Sequence, residues 1–129
     1  MLELSGALSE LRHFNAILLR LAALAPERLS LAQAVFFIEA ARADLSGKPA
    51  TFTELREKTG PAISKSLHTT YKVFLSAQDR EPKRQAALGW LARETDPTDN
   101  RRKYLRLTAT GYRIIEDLMQ ATQKRLEAA

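Results

Sequence analysis

Apolar residues at the start of the chain recur at alternating spacings of three and four positions, which is typical of a helix with one apolar face. This spacing predicts a first helix from about Ser5 to Leu24. The apolar positions are Leu4, Ala7, Leu11, Phe14, Leu18 and Leu21, widened by Leu8, Ile17 and Leu24. Because a small domain has little core in which to bury so wide a stripe, the helix must lie across its own domain or pack against a second copy of the chain. We favour the second copy.

Two further helix starts are marked by capping boxes, in which a Ser or Thr and a Gln or Glu three residues later satisfy each other's backbone N–H groups. The stretch Ser30-Leu31-Ala32-Gln33 predicts a second helix that ends near Ala43. The stretch Thr51-Phe52-Thr53-Glu54 opens a short helix, 52–59, which Gly60-Pro61 terminates. A new helix is then expected from about Ala62 to Leu75. Two short helices separated by a turn that contains glycine have the outline of a helix-turn-helix.

The second half of the chain changes from helical spacing to partial alternation of apolar and polar residues. Residues 76–88 are polar and charged around a proline, and we expect an extended loop there. The strands 89–94 and 101–107 then form a β-hairpin around a turn-rich connection, 95–100. Thr108 or Thr110 caps a last helix. Its apolar stripe consists of Ile114, Ile115, Leu118, Met119 and Leu126. The fold class predicted is mainly α, with a small β component.

The chain has 129 residues, the size of a single domain, and its positive charge is confined to the middle. Residues 1–47 contain four basic and five acidic residues, and residues 107–129 contain three of each. Residues 48–106 contain thirteen basic and seven acidic residues, a net charge of +6, so the positive excess of the chain, +5 in total, arises in this segment. This distribution is expected if the middle segment faces phosphate groups and the ends have another role.

The helix predicted from Ala62 separates an apolar face from a polar one. Its polar face contains two lysines, which can meet phosphates, and short side chains that can reach base edges in a major groove. These residues are Ser64, Lys65, His68, Thr69 and Lys72. An ordinary solvated helix face is the alternative interpretation.

Three consecutive cations, Arg101, Arg102 and Lys103, follow the turn of the predicted hairpin. In a protruding turn, such cations can enter a minor groove or lie beside phosphates. Asp99 is interpreted as an organising residue, since its carboxylate can hold the Arg101 guanidinium or accept from backbone N–H groups of the turn. A charge cluster that protects a sheet edge is the alternative.

The order of these elements and one stretch of sequence resemble the MarR-type winged helix-turn-helix transcription regulators. The most specific stretch is 96–111, DPTDNRRKYLRLTATG, which is similar to the wing of that family. It has Asp-x-Arg at the tip, alternating leucines on the returning strand and Leu-Thr-x-x-Gly before the next helix. The starts of the second and third helices are also similar, and the likeness covers about residues 29–120.

The resemblance implies a winged helix-turn-helix with N- and C-terminal dimerisation helices, 1–28 and 110–129, around a DNA-binding core, 29–109, with its wing at 89–107. It further implies that Arg101 enters the minor groove, that Asp99 positions it, and that the polar face of the helix from Ala62 reads the major groove. Members of the family are homodimers, and many have a pocket for a small effector. No residue of this chain identifies such a ligand.

Other chemistry is not expected. His13 and His68 are far apart, no cysteine is present, and neither a nucleophile elbow nor a glycine-rich phosphate loop occurs, so we predict no metal, no cofactor and no enzyme activity. No apolar run approaches the roughly 20 residues that span a bilayer, so a cytoplasmic protein without a membrane partner is expected.

The function predicted is a homodimeric regulator of transcription that binds duplex DNA in a sequence-specific way, as a repressor. Two alternatives are a DNA-binding protein of the same fold in replication or partition, and an interaction module that binds an acidic protein.

Overall fold

The computed structural model describes residues 4–25, 29–60, 71–75 and 88–128. Within these ranges it contains four α-helices, one 3₁₀ turn and a three-stranded antiparallel sheet, so the predicted mixed and mainly helical fold class is confirmed. The helices are α1 (Leu4–Leu24), α2 (Leu31–Leu45), α3 (Phe52–Thr59) and α4 (Ala109–Ala128), and the 3₁₀ turn is Tyr71–Phe74. The strands are β1 (Ala50–Thr51), β2 (Leu91–Asp96) and β3 (Asp99–Leu107).

The chain divides into two compact units. One unit consists of Met1–Leu29 with Arg113–Ala129, and the other consists of Ser30–Tyr112. The second unit contains the sheet and every described candidate site residue.

Local hydrogen bonds set the starts of α2 and α3, as predicted. Ser30 and Gln33 exchange side chain to backbone hydrogen bonds of 2.8 and 3.1 Å, and Thr51 and Glu54 exchange bonds of 3.2 Å. Helix α2 ends in a Schellman motif, in which the N–H of Lys48 donates to the carbonyl of Ala43. Gly47 supplies the positive φ of 84° that this motif requires.

An aromatic cluster forms the core of the unit Ser30–Tyr112. Phe36 of α2 is fully buried and contacts the rings of Phe52, Tyr71 and Phe74 at centroid distances of 5.7, 5.6 and 6.5 Å. Phe37 extends the cluster to Trp90, at 5.0 Å, just before β2. The cluster therefore holds α2, α3, the 3₁₀ turn and the start of the hairpin in one packed group.

A buried carboxylate attaches the hairpin to α2. One oxygen of Asp44 accepts from Arg106 Nε at 2.7 Å, and the other accepts from the Leu107 backbone N–H at 2.8 Å. Arg106 also pairs with Glu94 at 3.1 Å, and the two carboxylates raise the pKa of its guanidinium. Because the Asp44 carboxylate is buried, loss of Arg106 would leave its charge without this partner, and the two contacts attach the end of β3 to α2.

The sheet has the order β1-β3-β2, and both pairings are antiparallel. The register of β2 with β3 is regular from Leu91 opposite Leu107 to Thr95 opposite Lys103. It then shifts to Asp96 opposite Asp99. Both strands therefore extend further toward the turn than predicted. The connection between them consists of residues 97 and 98, where the sequence predicted 95–100.

The end of the helix predicted for 62–75 is corrected by the structure, whereas its beginning, 61–70, lies outside the described residues. Residues 71–74 form a 3₁₀ turn, not an α-helix. The carbonyls of Val73 and Phe74 accept from the N–H groups of Leu88 and Trp90, and Leu75 forms a bridge with Leu91. The backbone groups that would continue an α-helix are therefore used to start the hairpin. The predicted loop also falls outside the described residues, except for Leu88.

In the terminal unit, α1 and α4 are joined by a bidentate ion pair. Arg20 donates from two nitrogens to the two oxygens of Asp117 at 2.7 and 2.8 Å, which raises the pKa of Arg20. Ala16, Leu21 and Leu118 are buried. Four of the nine positions of the apolar stripe predicted on α1 are exposed in the described structure, namely Leu8, Leu11, Phe14 and Leu18. Leu19, next to this stripe, is also exposed.

Thr108, one of the two residues predicted as the cap of the last helix, joins α4 to the hairpin. Its hydroxyl accepts from the Gly111 N–H at 3.0 Å and donates to the carbonyl of Gly89. Gly111 consequently lies against the Trp90 carbonyl, and a Cβ built on Gly111 would stand 2.1 Å from that oxygen. Glycine is required here by close approach of backbone.

We expect Gly111→Ala to lower the free energy of unfolding by about 1–3 kcal/mol, because the new methyl group meets backbone that cannot swing away. Gly6→Ala is the matched control, since no described atom lies within 4 Å of a Cβ at Gly6 in α1. Alanine is the better helix former, so Gly6→Ala should be neutral or raise stability by up to about 1 kcal/mol. Urea unfolding followed by circular dichroism measures both. Equal stability of the two variants would contradict the close approach.

Candidate nucleic-acid interface

The structure describes five of the nine site residues predicted from the sequence: Lys72, Asp99, Arg101, Arg102 and Lys103. Lys72 lies on the 3₁₀ turn and is half-buried. Arg101, Arg102 and Lys103 are exposed at the start of β3. Ser64, Lys65, His68 and Thr69 lie outside the described residues.

The tip of the hairpin is held by Asp96. Its Oδ1 accepts from the backbone N–H and the hydroxyl of Thr98, both at 2.8 Å, and its Oδ2 accepts from the Tyr104 hydroxyl at 2.5 Å. Because these donors favour the ionised carboxylate, and the Tyr104 hydroxyl most of all, the pKa of Asp96 falls from 3.8 to about 2. The same hydrogen bond raises the pKa of Tyr104.

Beyond this tip, three residues of β3 bulge out of the regular ladder. One step on β2, from Thr95 to Asp96, spans the interval from Lys103 to Asp99 on β3, so residues 100–102 have no partner in the register. Such a bulge strengthens the local twist and redirects side chains. Two of the three cations, Arg101 and Arg102, lie in this irregular part of β3.

Asp99 organises the bulge through the backbone. Its Oδ1 accepts from the Arg101 N–H at 3.0 Å, whereas the Arg101 Nε is 3.6 Å from the same oxygen. Of the two contacts expected of Asp99, the backbone hydrogen bond is therefore the well-formed one. The Arg101 side chain remains 94% exposed.

Arg102 has the opposite environment. It donates to Glu54 Oε1 at 3.0 Å, and its guanidinium carbon lies 5.6 Å from the centre of the Tyr104 ring. The same Glu54 oxygen accepts from Thr51 in the capping box of α3. Two neighbouring arginines of equal charge are thus held differently, one extended into solvent and one tied to α3.

A groove of about 640 Å³ separates the start of α3 from the basic part of β3. Its cationic residues are Arg93, Arg101, Arg102 and Lys103, and its acidic residues, Glu54 and Glu57, belong to α3. The remaining lining residues are Thr51, Phe52, Thr53, Tyr71 and Leu105. With more cations than carboxylates, the groove suits an extended anion.

Arg93 and Tyr71 were not singled out from the sequence. Arg93 donates to the Tyr71 hydroxyl at 2.6 Å, and its guanidinium carbon lies 5.9 Å from the centre of the Tyr71 ring. Side chains alternate between the two faces of a strand, so Arg93 lies on the same face of β2 as the fully buried Leu91, two residues away. This alternation could have indicated Arg93 from the sequence. A cation in that position needs a partner.

Compared with known proteins, the chain matches no family model, no curated protein sequence and no solved structure.

None of the described helices combines the length and apolar character needed to cross a membrane. The same part of the chain brings no three His, Asp or Glu side chains together in a way that could hold a metal ion.

We expect Tyr104→Phe to raise the pKa of Asp96 from about 2 toward 3.8, because it removes the largest cause of the shift. Since the folded-state pKa is depressed, the stabilisation from the Asp96 carboxylate is present above about pH 3.8 and is lost as the pH falls through about 2. In the variant, this stabilisation should be smaller, and what remains of it should be lost at a higher pH.

Carbon-detected NMR titration of the Asp96 carboxyl measures this pKa directly. Tyr112→Phe, which removes an exposed phenol on α4, is the control and should leave the titration unchanged. If Asp96 titrated near the same pH in wild type and Tyr104→Phe, the hydroxyl would not be what holds the carboxylate.

Proposed function

We propose that the protein is a homodimeric winged helix-turn-helix regulator of transcription that binds duplex DNA, acting as a repressor by occupying its operator. The observation that carries the proposal is the basic groove beside a protruding hairpin whose tip arginine is almost fully exposed. The order α2, β1, α3, hairpin and α4, with β3 central in the sheet, supports it.

In the proposed complex, the hairpin acts as the wing. Arg101 inserts into a minor groove, where readout depends mostly on groove width and on A·T against G·C. The helix expected from Ala62, with Ser64, Lys65, His68 and Thr69, reads base edges in the adjacent major groove, and Lys72 meets a phosphate. The basic groove then faces the sugar-phosphate backbone between these two contacts.

Binding to a short fluorescent duplex across a range of salt concentrations tests this function. If each subunit makes about three to five phosphate contacts, the log–log slope for a dimer should be roughly −5 to −9, because bound cations displace condensed counterions. A flat salt dependence would contradict DNA binding and favour the module that binds an acidic protein.

In the same titration, we expect Arg101→Ala to weaken binding to operator and scrambled duplexes together, and by more than Arg102→Ala does. The two substitutions remove the same charge from adjacent positions, but Arg101 is 94% exposed and Arg102 is paired with Glu54 at 3.0 Å. Arg102 must give up that pair before it can meet a phosphate. A larger loss for Arg102→Ala would contradict the assignment of Arg101 to the wing tip.

The dimer is proposed to form through α1 and α4. Leu11 and Phe14 are 64% and 66% exposed on α1, and Met119 is exposed on α4. Exposed apolar side chains grouped on one face indicate an interaction surface. Two copies that bury this face would also place two wings on one duplex, with half-sites about one helical turn apart.

We expect light scattering at micromolar concentration to give twice the chain mass of 14.5 kDa for the wild type. Leu11→Glu should shift the protein toward monomer, because it places a charge in the apolar interface. Leu31→Glu is the control, since Leu31 is 73% exposed at the start of α2, in the other unit. A wild type near the chain mass would overturn the dimer.

A further inference from the structure

We infer that Arg93, held by Tyr71, is a phosphate-binding residue of the basic groove and takes a phosphodiester of the nucleic-acid backbone. This inference rests on the proposed function and adds a contact that neither the wing nor the helix expected from Ala62 supplies. A nucleic-acid backbone and a free phosphate compound both present phosphate groups, so the experiment must distinguish these two ligands.

Arg93 has no counter-charge among the residues that the structure describes. Arg93 and Arg106 are the half-buried arginines of the described chain, and Arg106 is paired with Asp44 and Glu94. Among the described residues, no carboxylate lies within ion-pair distance of Arg93, whose partner is the neutral hydroxyl of Tyr71. A partly buried cation without a carboxylate is costly, and an arriving anion relieves that cost.

The geometry of the Arg93 guanidinium also suits a phosphate group. Arginine has five N–H donors in a planar fork that matches phosphate oxygens, and the contact with Tyr71 uses one nitrogen. Tyr71 is itself fixed, because it is buried and stacks on Phe52 at a centroid distance of 4.4 Å. Tyr71 therefore acts as a positioning residue that holds the fork of Arg93 in one orientation.

The groove around Arg93 supplies further cations. Arg93 shares the groove with Arg101 and Lys103 of β3, whereas the charge of Glu54 on the opposite wall is paired with Arg102. A volume of about 640 Å³ exceeds what one inorganic phosphate needs, and four cationic residues line the groove. A continuous backbone that brings several phosphates satisfies this arrangement better than one small anion.

The experiment compares full-length variants for binding to a fluorescent 24-base-pair duplex at one fixed salt concentration. We expect Arg93→Gln to weaken binding about tenfold, the size of one lost charge-assisted contact. Arg93→Lys keeps the positive charge but loses the planar set of N–H donors. Its duplex affinity should lie between those of the wild type and Arg93→Gln. Lys48→Gln removes the same charge from an exposed loop and should change affinity less than about twofold.

Tyr71→Phe tests the positioning role separately. It should weaken binding about threefold when Arg93 is present and leave binding unchanged in the Arg93→Gln background, because the hydroxyl acts through the guanidinium. A purely structural role of Tyr71 would give the same loss in both backgrounds and would overturn this part of the inference. Thermal unfolding of each variant checks that it is folded at the temperature of the binding measurement.

Binding of inorganic pyrophosphate to the same variants is measured as a second test. If the wild type binds the duplex and Arg93→Gln has the same duplex affinity as Lys48→Gln, the inference is overturned while the proposed function stands. If wild type fails to bind duplex but binds pyrophosphate in a way that Arg93→Gln abolishes, the proposed function and the nucleic-acid source are both overturned, and the site belongs to a free phosphate compound. Tenfold weaker duplex binding by Arg93→Gln, with Lys48→Gln unchanged, supports the inference.

Discussion

The packing of aromatic rings around Phe36 is the constraint on which the candidate interface depends. Phe36 joins Phe52 at the start of α3 to Tyr71 of the 3₁₀ turn, and those two rings stack on each other. Loss of a buried ring of this size costs about 3–5 kcal/mol, a large part of the 5–15 kcal/mol by which a domain is stable. The position of the Tyr71 hydroxyl, and with it the orientation of Arg93, is therefore a consequence of the core.

Acidic residues within and next to the basic segment 48–106 determine which of its cations are paired. Asp44 and Glu94 hold Arg106, and Glu54 holds Arg102. The exposed pairs contribute little to stability, about 0–1 kcal/mol each, but they direct long side chains. Asp99 accepts from the Arg101 backbone N–H at 3.0 Å and lies 3.6 Å from its Nε, and the Arg101 side chain stays 94% exposed. The net charge of the segment is thus divided between cations that hold the hairpin and cations that face outward.

The terminal unit has exposed apolar side chains on α1. Its internal contacts include the bidentate pair between Arg20 and Asp117 and the buried side chain of Leu118. They leave the leucines on the outer face of α1 exposed. In the proposed dimer, a second copy covers this face by symmetry, since a twofold axis brings the same patch of both chains together. The apolar ends and the basic middle of the chain then have separate roles, one in assembly and one in binding.

Local interactions explain what the sequence alone determined. The capping boxes at Ser30 and Thr51, the helix Phe52–Thr59 and the hairpin depend on hydrogen bonds and turn chemistry within a few residues, so their pattern is visible in the chain. The contact of Arg93 with Tyr71 joins residues 22 positions apart, and the pair of Arg102 with Glu54 joins residues 48 apart. Such contacts, like the 3₁₀ end at Tyr71–Phe74, depend on how α3, the turn and β3 pack together. Only the tertiary structure decided which cations pair across elements, because the partners of residues far apart in the sequence are set by packing and not by spacing along the chain.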